Sequence, residues 1–214
     1  MPDLPPAPAA DPHRIRTLAQ LEALAGPVGE ASLRKEVDWL HPHYQAVIRA
    51  SPFAVLATVG RGGLDASPRG DPAGFVAIED ERTLLLPERR GNHRMDSLRN
   101  VVEDPRVALL FLVPGAGETL RVNGVAEITV APELLARLAC QGRPPTCVLR
   151  IRVQAVYFQC ARAVLRSGLW DARPAQAPRP IPTAGAMLEA LTSGGIDGRR
   201  YDEALPQRQR DTLY

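Results

Sequence analysis

Leucines at 18, 21 and 24 recur at helical spacing in RIRTLAQLEALA, residues 14–25, and Gly26-Pro27 ends the run. Leu33, Val37, Leu40, Val47 and Ile48 supply the apolar positions of a second predicted helix over 31–50, interrupted at His41-Pro42. Ser51-Pro52 closes it, because the residue before a proline is driven out of the helical region. The period then changes. FAVLATV, 53–59, reads as a mostly apolar strand and RGG, 61–63, as a turn. LDASPRG alternates, with Leu64, Ala66 and Pro68 on one face and Asp65, Ser67 and Arg69 on the other. GFVAI and TLLLP make a second hairpin around the charged turn EDER, 79–82.

Met95, Leu98, Val101 and Val102 mark one face of a helix from about 92 to 103, closed by Asp104-Pro105. RVALLFLV, 106–113, has the continuous apolar character of a strand covered on both sides. In TLRVNGVAEITV, 119–130, Leu120, Val122, Ala126, Ile128 and Val130 share a face with Gly124, whose missing side chain predicts a bulge or close barrel packing. A short helix near 132–139 leads to CVLRIRVQAVYFQ, 147–159, where Cys147, Leu149, Ile151, Val153, Ala155 and Tyr157 are expected to face inward. Six strands, mostly joined by hairpins and closing on themselves, with helices at the ends and over the openings, are the economical architecture, since closure removes unpaired edges. The rival is an open sheet of the α+β kind.

Composition narrows the class without naming a chemistry. At 214 residues, with 45% hydrophobic and 23% charged, the chain fits one large domain with extensions. Many of its 21 prolines cluster near the ends, so 1–13 reads as a flexible tail, 14–170 as the domain with its leading helices, and 171–214 as a Pro-rich connector and helical arm. A net charge of +2 supplies no overall field for nucleic acid. Three scattered cysteines, no apolar leader and no membrane-length run make a cytoplasmic address the default expectation. His41, His43 and His93 have no cysteine or carboxylate in a recognisable ligand spacing, so no metal is expected.

One stretch carries candidate chemistry. Between a strand ending near Pro87 and a helix opening at Asn92 stand Arg89, Arg90, Gly91, Asn92, His93 and Arg94. Forked guanidinium donors beside free backbone N–H groups suit a phosphate monoester, and Arg69 ends a hairpin strand on the polar side where it could join them. The alternative is a set of solvated surface charges. Neither P-loop spacing nor the dinucleotide glycine pattern is present.

The run VDWLHPHYQAVIRASPFAVLATVGRGGLDASPRGDPAGFV, then TLLLPERRGNHRMDSLRNVVEDPRVALLFLVPGAGETLRVNGVAEI and FQCARAVLRSGLW, strongly resembles the pyridoxamine 5'-phosphate oxidase-like group of flavin-binding split-barrel proteins. It is most similar to a bacterial subgroup of related FMN-binding proteins, over residues 37–170. The resemblance implies a mainly β fold with peripheral helices, a six-stranded split β-barrel of the FMN-binding type. It also implies a homodimer whose subunit interface forms two cofactor clefts, each holding FMN with groups from both chains. Residues matching the family's cofactor contacts are Arg69 and Gly70 at the second strand's end, then Leu86, Pro87, Arg90, Gly91, Asn92 and Arg94. Arg166 and Trp170 match the late residues that reach the other subunit's cofactor; Trp170 could equally anchor the last helix.

The family's vitamin B6 oxidase carries a basic substrate-binding ending that residues 171–214 lack, so another small substrate is expected. The preferred reading is an FMN-dependent oxidoreductase working by hydride or electron transfer at the flavin, with no membrane or nucleic-acid partner. Competing with it are a non-catalytic flavin or haem binder and a barrel that has lost its ligand.

Overall fold

The computed structural model describes residues 11, 13–91, 94–171 and 181–211. The chain divides into two compact units, residues 1–35 and 36–214. In the first, α1 (Leu18–Ala25) opens on a reciprocal cap: Thr17 Oγ1 accepts from Gln20 N at 3.2 Å and Gln20 Oε1 accepts from Thr17 N at 3.2 Å. Gly26, at φ 71°, ends it. A five-residue helix, α2 (Glu30–Arg34), follows.

The helix expected over 31–50 is thus two helices, α2 and α3 (Pro42–Ala50), the latter in the second unit. Between them Val37 pairs as an extended residue with Val156, and Pro42, lacking an N–H, is accommodated only in the first turn of α3. His41 caps α3 through Nδ1, which accepts from His43 N at 3.2 Å.

The second unit is built on one antiparallel sheet of seven strands. In chain order these are β1 (Phe53–Gly60), β2 (Gly63–Gly70), β3 (Ala77–Asp80), β4 (Thr83–Glu88), β5 (Arg106–Leu112), β6 (Thr119–Thr129) and β7 (Cys147–Gln159). Their spatial order is β2-β1-β5-β6-β7-β4-β3. The sheet is open, with β2 and β3 as its edges. This corrects the expectation of a six-stranded split barrel. Helices also hold about as much of the chain as strands do, which corrects the expectation of a mainly β protein. The physical reason lies at the seam. The sheet curls until β2 and β4, separated by four strands in the order, approach each other, but side chains alone join them: Arg69 Nε lies 3.1 Å from Glu88 Oε2. Among the described residues no backbone ladder links these two strands, so the ring of hydrogen bonds that defines a barrel is not completed.

One core fills the inside of the curl: Leu40 and Ile48 from the α3 region, Leu56, Leu84, Leu86, Leu109, Phe111, Leu120, Leu149 and Ile151 from the strands. Each large apolar side chain so buried contributes about 1.5–3 kcal/mol. α4 (Asp96–Glu103) packs on β1, where Asn100 Nδ2 donates to buried Thr58 Oγ1 at 3.0 Å. Buried Ser51 pins the start of β1 to the end of β5 with a hydroxyl 2.7 Å from both Phe53 O and Leu112 O.

Two strand readings change phase. β5 alternates between buried and half-buried residues instead of being covered equally on both faces. In β7 the inward positions after Val153 are not Ala155 and Tyr157; fully buried Val156 takes the inner face. The cause is a bulge. Asn123 pairs with Ala155 and Gly124 with Val153, leaving Gln154 as the extra residue, and one extra residue turns every later side chain over. Gly124 is required there, because a Cβ on it would stand 2.3 Å from Arg152 O. α5 (Pro132–Arg137) joins β6 to β7, and α6 (Arg162–Ser167) follows β7, ending at left-handed Gly168. α7 (Ala184–Leu191) and α8 (Gly198–Asp211) form a helical pair tied by Gly185 N donating to Asp202 Oδ1 at 2.7 Å.

Candidate functional site

The seam between β2 and β4 opens into a cavity of about 680 Å³. Its walls are the polar face of β2 (Asp65, Ser67, Arg69), the end of β4 (Pro87, Glu88), the following turn (Arg89, Arg90, Gly91) and the start of α4. β2 is inverted relative to ordinary amphipathic strands: Asp65, Ser67 and Arg69 are half-buried, whereas Leu64, Ala66 and Pro68 face outward, Leu64 at 89% exposure. An edge strand that turns its polar side inward needs polar partners inside, and they are present.

The hydrogen bonds form a directed chain. Ser97 Oγ donates to Asp65 Oδ2 at 2.9 Å, which uses its single hydrogen. Ser67 Oγ, 2.9 Å from Ser97 Oγ, must then donate to it, and accepts in turn from Arg69 Nη1 at 2.8 Å. Arg69 Nη1 also reaches Pro68 O at 3.0 Å, and Nε faces Glu88. The guanidinium is therefore held along two of its edges. Its Nη2 has no hydrogen bond to any described residue and is the donor left for something else.

A second cation lies beside it. Arg89 Nε donates to Asp71 Oδ2 at 2.7 Å, with the Asp71 side chain only 2% exposed. Arg89 Nη1 is buried and has no hydrogen-bond partner among the described residues, an arrangement that costs free energy unless a ligand or solvent completes it. Asp71 thus orients Arg89, and not Arg69 as its proximity in sequence suggests. Arg90, exposed at the rim, makes no ion pair or hydrogen bond among the described residues. Burial raises the Glu88 carboxyl above the usual carboxylate range, with Arg69 opposing the rise. Cys147, paired with Glu88 in the sheet, has its thiol pushed up to about 11 by burial and by the Glu88 charge.

The helix predicted from Asn92 begins at Asp96. Met95 is its N-cap in the left-handed conformation, φ 56°, and so interrupts the helical path before the first turn. Asp96 sits in that first turn and accepts from Arg94 Nε at 2.7 Å, so a carboxylate already occupies the positive end of the helix. The arginines, not the helix N-terminus, are the anion-attracting groups of this cavity.

Of the residues singled out from the sequence, Arg69, Gly70, Pro87, Arg90, Gly91 and Arg94 line one cavity. Leu86 lies in the core at 0% exposure, and Asn92 lies outside the described residues. Arg166 is on α6, and Trp170 Nε1 donates to Ala116 O at 2.6 Å; neither lines this cavity. Sequence reasoning missed Glu88 and Ser97; it placed Arg89 in the basic turn that suits a phosphate but not among the family's cofactor contacts. Glu88 had a trace in the sequence, a lone carboxylate closing an apolar strand, but its partner is 19 residues away on a strand that is not its neighbour.

A match to the family described as pyridoxamine 5'-phosphate oxidase spans residues 40–160, more than half of the chain. Looser likenesses exist among solved structures. HupZ of Group A Streptococcus is 17% identical, with 54% of this chain and 90% of that one covered and a TM-score of 0.45. A protein related to general stress protein 26, from Clostridium acetobutylicum, is 14% identical, with 55% and 86% covered and a TM-score of 0.44. The FAD binding protein of Mycobacterium smegmatis is 13% identical, with 57% and 97% covered and a TM-score of 0.39. No curated protein matches the sequence. The family match includes all seven strands and the whole of the cavity's β2, β4 and α4 walls, and the chain belongs to the pyridoxamine 5'-phosphate oxidase-like family.

Proposed function

We propose that the protein is an FMN-dependent oxidoreductase acting on a small molecule other than pyridoxamine phosphate, with the phosphate of FMN held in the cavity between β2 and β4. Family membership supports flavin-related, oxidoreductase-like chemistry in general. The observation that carries the finer reading is the pair of guanidinium side chains, Arg69 and Arg89, that line one cavity large enough for a phosphate and part of a ribityl chain, with Arg89 Nη1 buried and unpartnered among the described residues. Guanidinium forks suit phosphate oxygens, and Gly91 lets the backbone approach. Arg90 supplies a further cation at the rim.

In this reading FMN, when bound, supplies the hydride or electron transfer. The chain's own residues do the rest: Asp65, Ser97 and Ser67 fix Arg69, Asp71 fixes Arg89, and Pro87 and Phe75 give the cavity apolar wall. Two protomers are proposed to complete the site.

Purified protein titrated with FMN is expected to quench flavin fluorescence with micromolar or tighter affinity and to sediment as a dimer. Absence of binding at tens of micromolar would refute the cofactor. Binding without turnover by reduced nicotinamides and a panel of acceptors would favour a non-catalytic flavin carrier instead.

A further inference from the structure

We infer that Glu88 is an internal competitor for the anion site: its carboxylate occupies Arg69, so that a bound phosphate must displace it or meet it protonated, and Glu88 thereby sets both the affinity and the pH dependence of binding. This rests on the proposal that the cavity takes a phosphate.

The geometry supplies the competition. Glu88 Oε2 takes Arg69 Nε at 3.1 Å, and both side chains are largely buried, at 20% and 15% exposure. The two remaining Arg69 contacts are to Ser67 and Pro68, so Glu88 is the one negative charge paired with this arginine. Arg89 is different. Its partner Asp71 is almost fully buried behind it, and Arg89 Nη1 stays unspent, so that arginine is positioned rather than occupied. An anion arriving between the two guanidiniums therefore meets the Glu88 carboxylate, which itself lines the cavity, whereas Asp71 is not among the lining residues.

The groups around Glu88 make the sign clear. From β2 it faces Arg69, from β7 the neutral thiol of Cys147, and along its own turn Arg89, itself neutralised by Asp71, and Arg90. Asp65 on β2 and the Arg94–Asp96 pair before α4 complete the charges of the cavity wall. Burial disfavours the ionised carboxyl, and an incoming dianion disfavours it further. Protonation removes the repulsion and frees the guanidinium, so the penalty due to Glu88 shrinks as the pH falls.

The test compares dissociation constants for FMN and for inorganic phosphate between wild type and Glu88→Gln from pH 5 to pH 8, with Glu88→Ala as a second variant in case the first misfolds. At pH 8 the variants are expected to bind about tenfold more tightly, the scale of one like charge removed at a partly buried site. The wild-type to variant ratio is expected to move toward one as the pH is lowered from 8 to 5, a comparison in which the ligand's own phosphate ionisation cancels. Equal constants at pH 8, or weaker binding by both variants, would overturn the competitor role while leaving the flavin proposal standing. Phosphate binding with the expected ratio but no FMN binding would overturn the flavin proposal and leave Glu88 in its role. Binding of neither ligand by any of the proteins would overturn both.

Discussion

Arg69 is the residue on which the site turns. Its guanidinium is fixed by Ser67 and Pro68 through contacts that a ligand at Nε and Nη2 leaves in place, so little ordering remains for binding to impose. Arg69→Ala is expected to weaken FMN binding by about 1.5–3 kcal/mol, the worth of a charge-assisted hydrogen bond, in a fluorescence titration. Glu88 carries a second consequence, for stability. Its folded carboxyl titrates above its unfolded value, so the unfolded chain gives up the proton first. Stability from this group is complete below the unfolded value and is lost as the pH rises through the folded one. A urea series across that window should show the loss in wild type and not in Glu88→Gln. Two of the three cysteines contrast in the same physical terms. Cys160 is exposed, whereas buried Cys147, held up at about 11, is only about one-thousandth thiolate at pH 8. Iodoacetamide should alkylate Cys160 first and reach Cys147 only on unfolding.

Among the elements, the bulge where β6 meets β7 governs which side chains of β7 reach the core. A Cβ at Gly124 would collide with Arg152 backbone, which has no rotamer with which to yield. Gly124→Ala is therefore expected to cost about 1–3 kcal/mol, read from the urea midpoint. This bulge also marks where the sequence stopped being legible. Gly124 on an apolar face announced an irregularity, but not that the extra residue would be Gln154 in the opposite strand, which decides whether Ala155 or Val156 points inward. Alternation in LDASPRG was equally plain, and it separated Asp65, Ser67 and Arg69 from Leu64, Ala66 and Pro68. Periodicity names two faces without saying which is inside; here the polar one is, because it meets Glu88 and Ser97 across the seam. The α4 boundary shifted for a local reason, since nothing in the residue type of Met95 announces a left-handed backbone.

Over the whole molecule, hairpins and strand positions followed from local pattern, whereas closure did not. Whether the two ends of a curled sheet share backbone hydrogen bonds depends on their separation, and no window of sequence encodes that distance. Native-state amide exchange should be slowest in β5, β6 and β7, which pair on both sides, and fastest in the edge strands β2 and β3. The seam has a further consequence. Because side-chain contacts alone span it among the described residues, β2 can swing away from β4 without breaking a single rung of either ladder, so the mouth can breathe while the framework stays intact. A ligand lodged there acts as a clasp, and its grip should register as a rise in melting temperature that grows with ligand concentration.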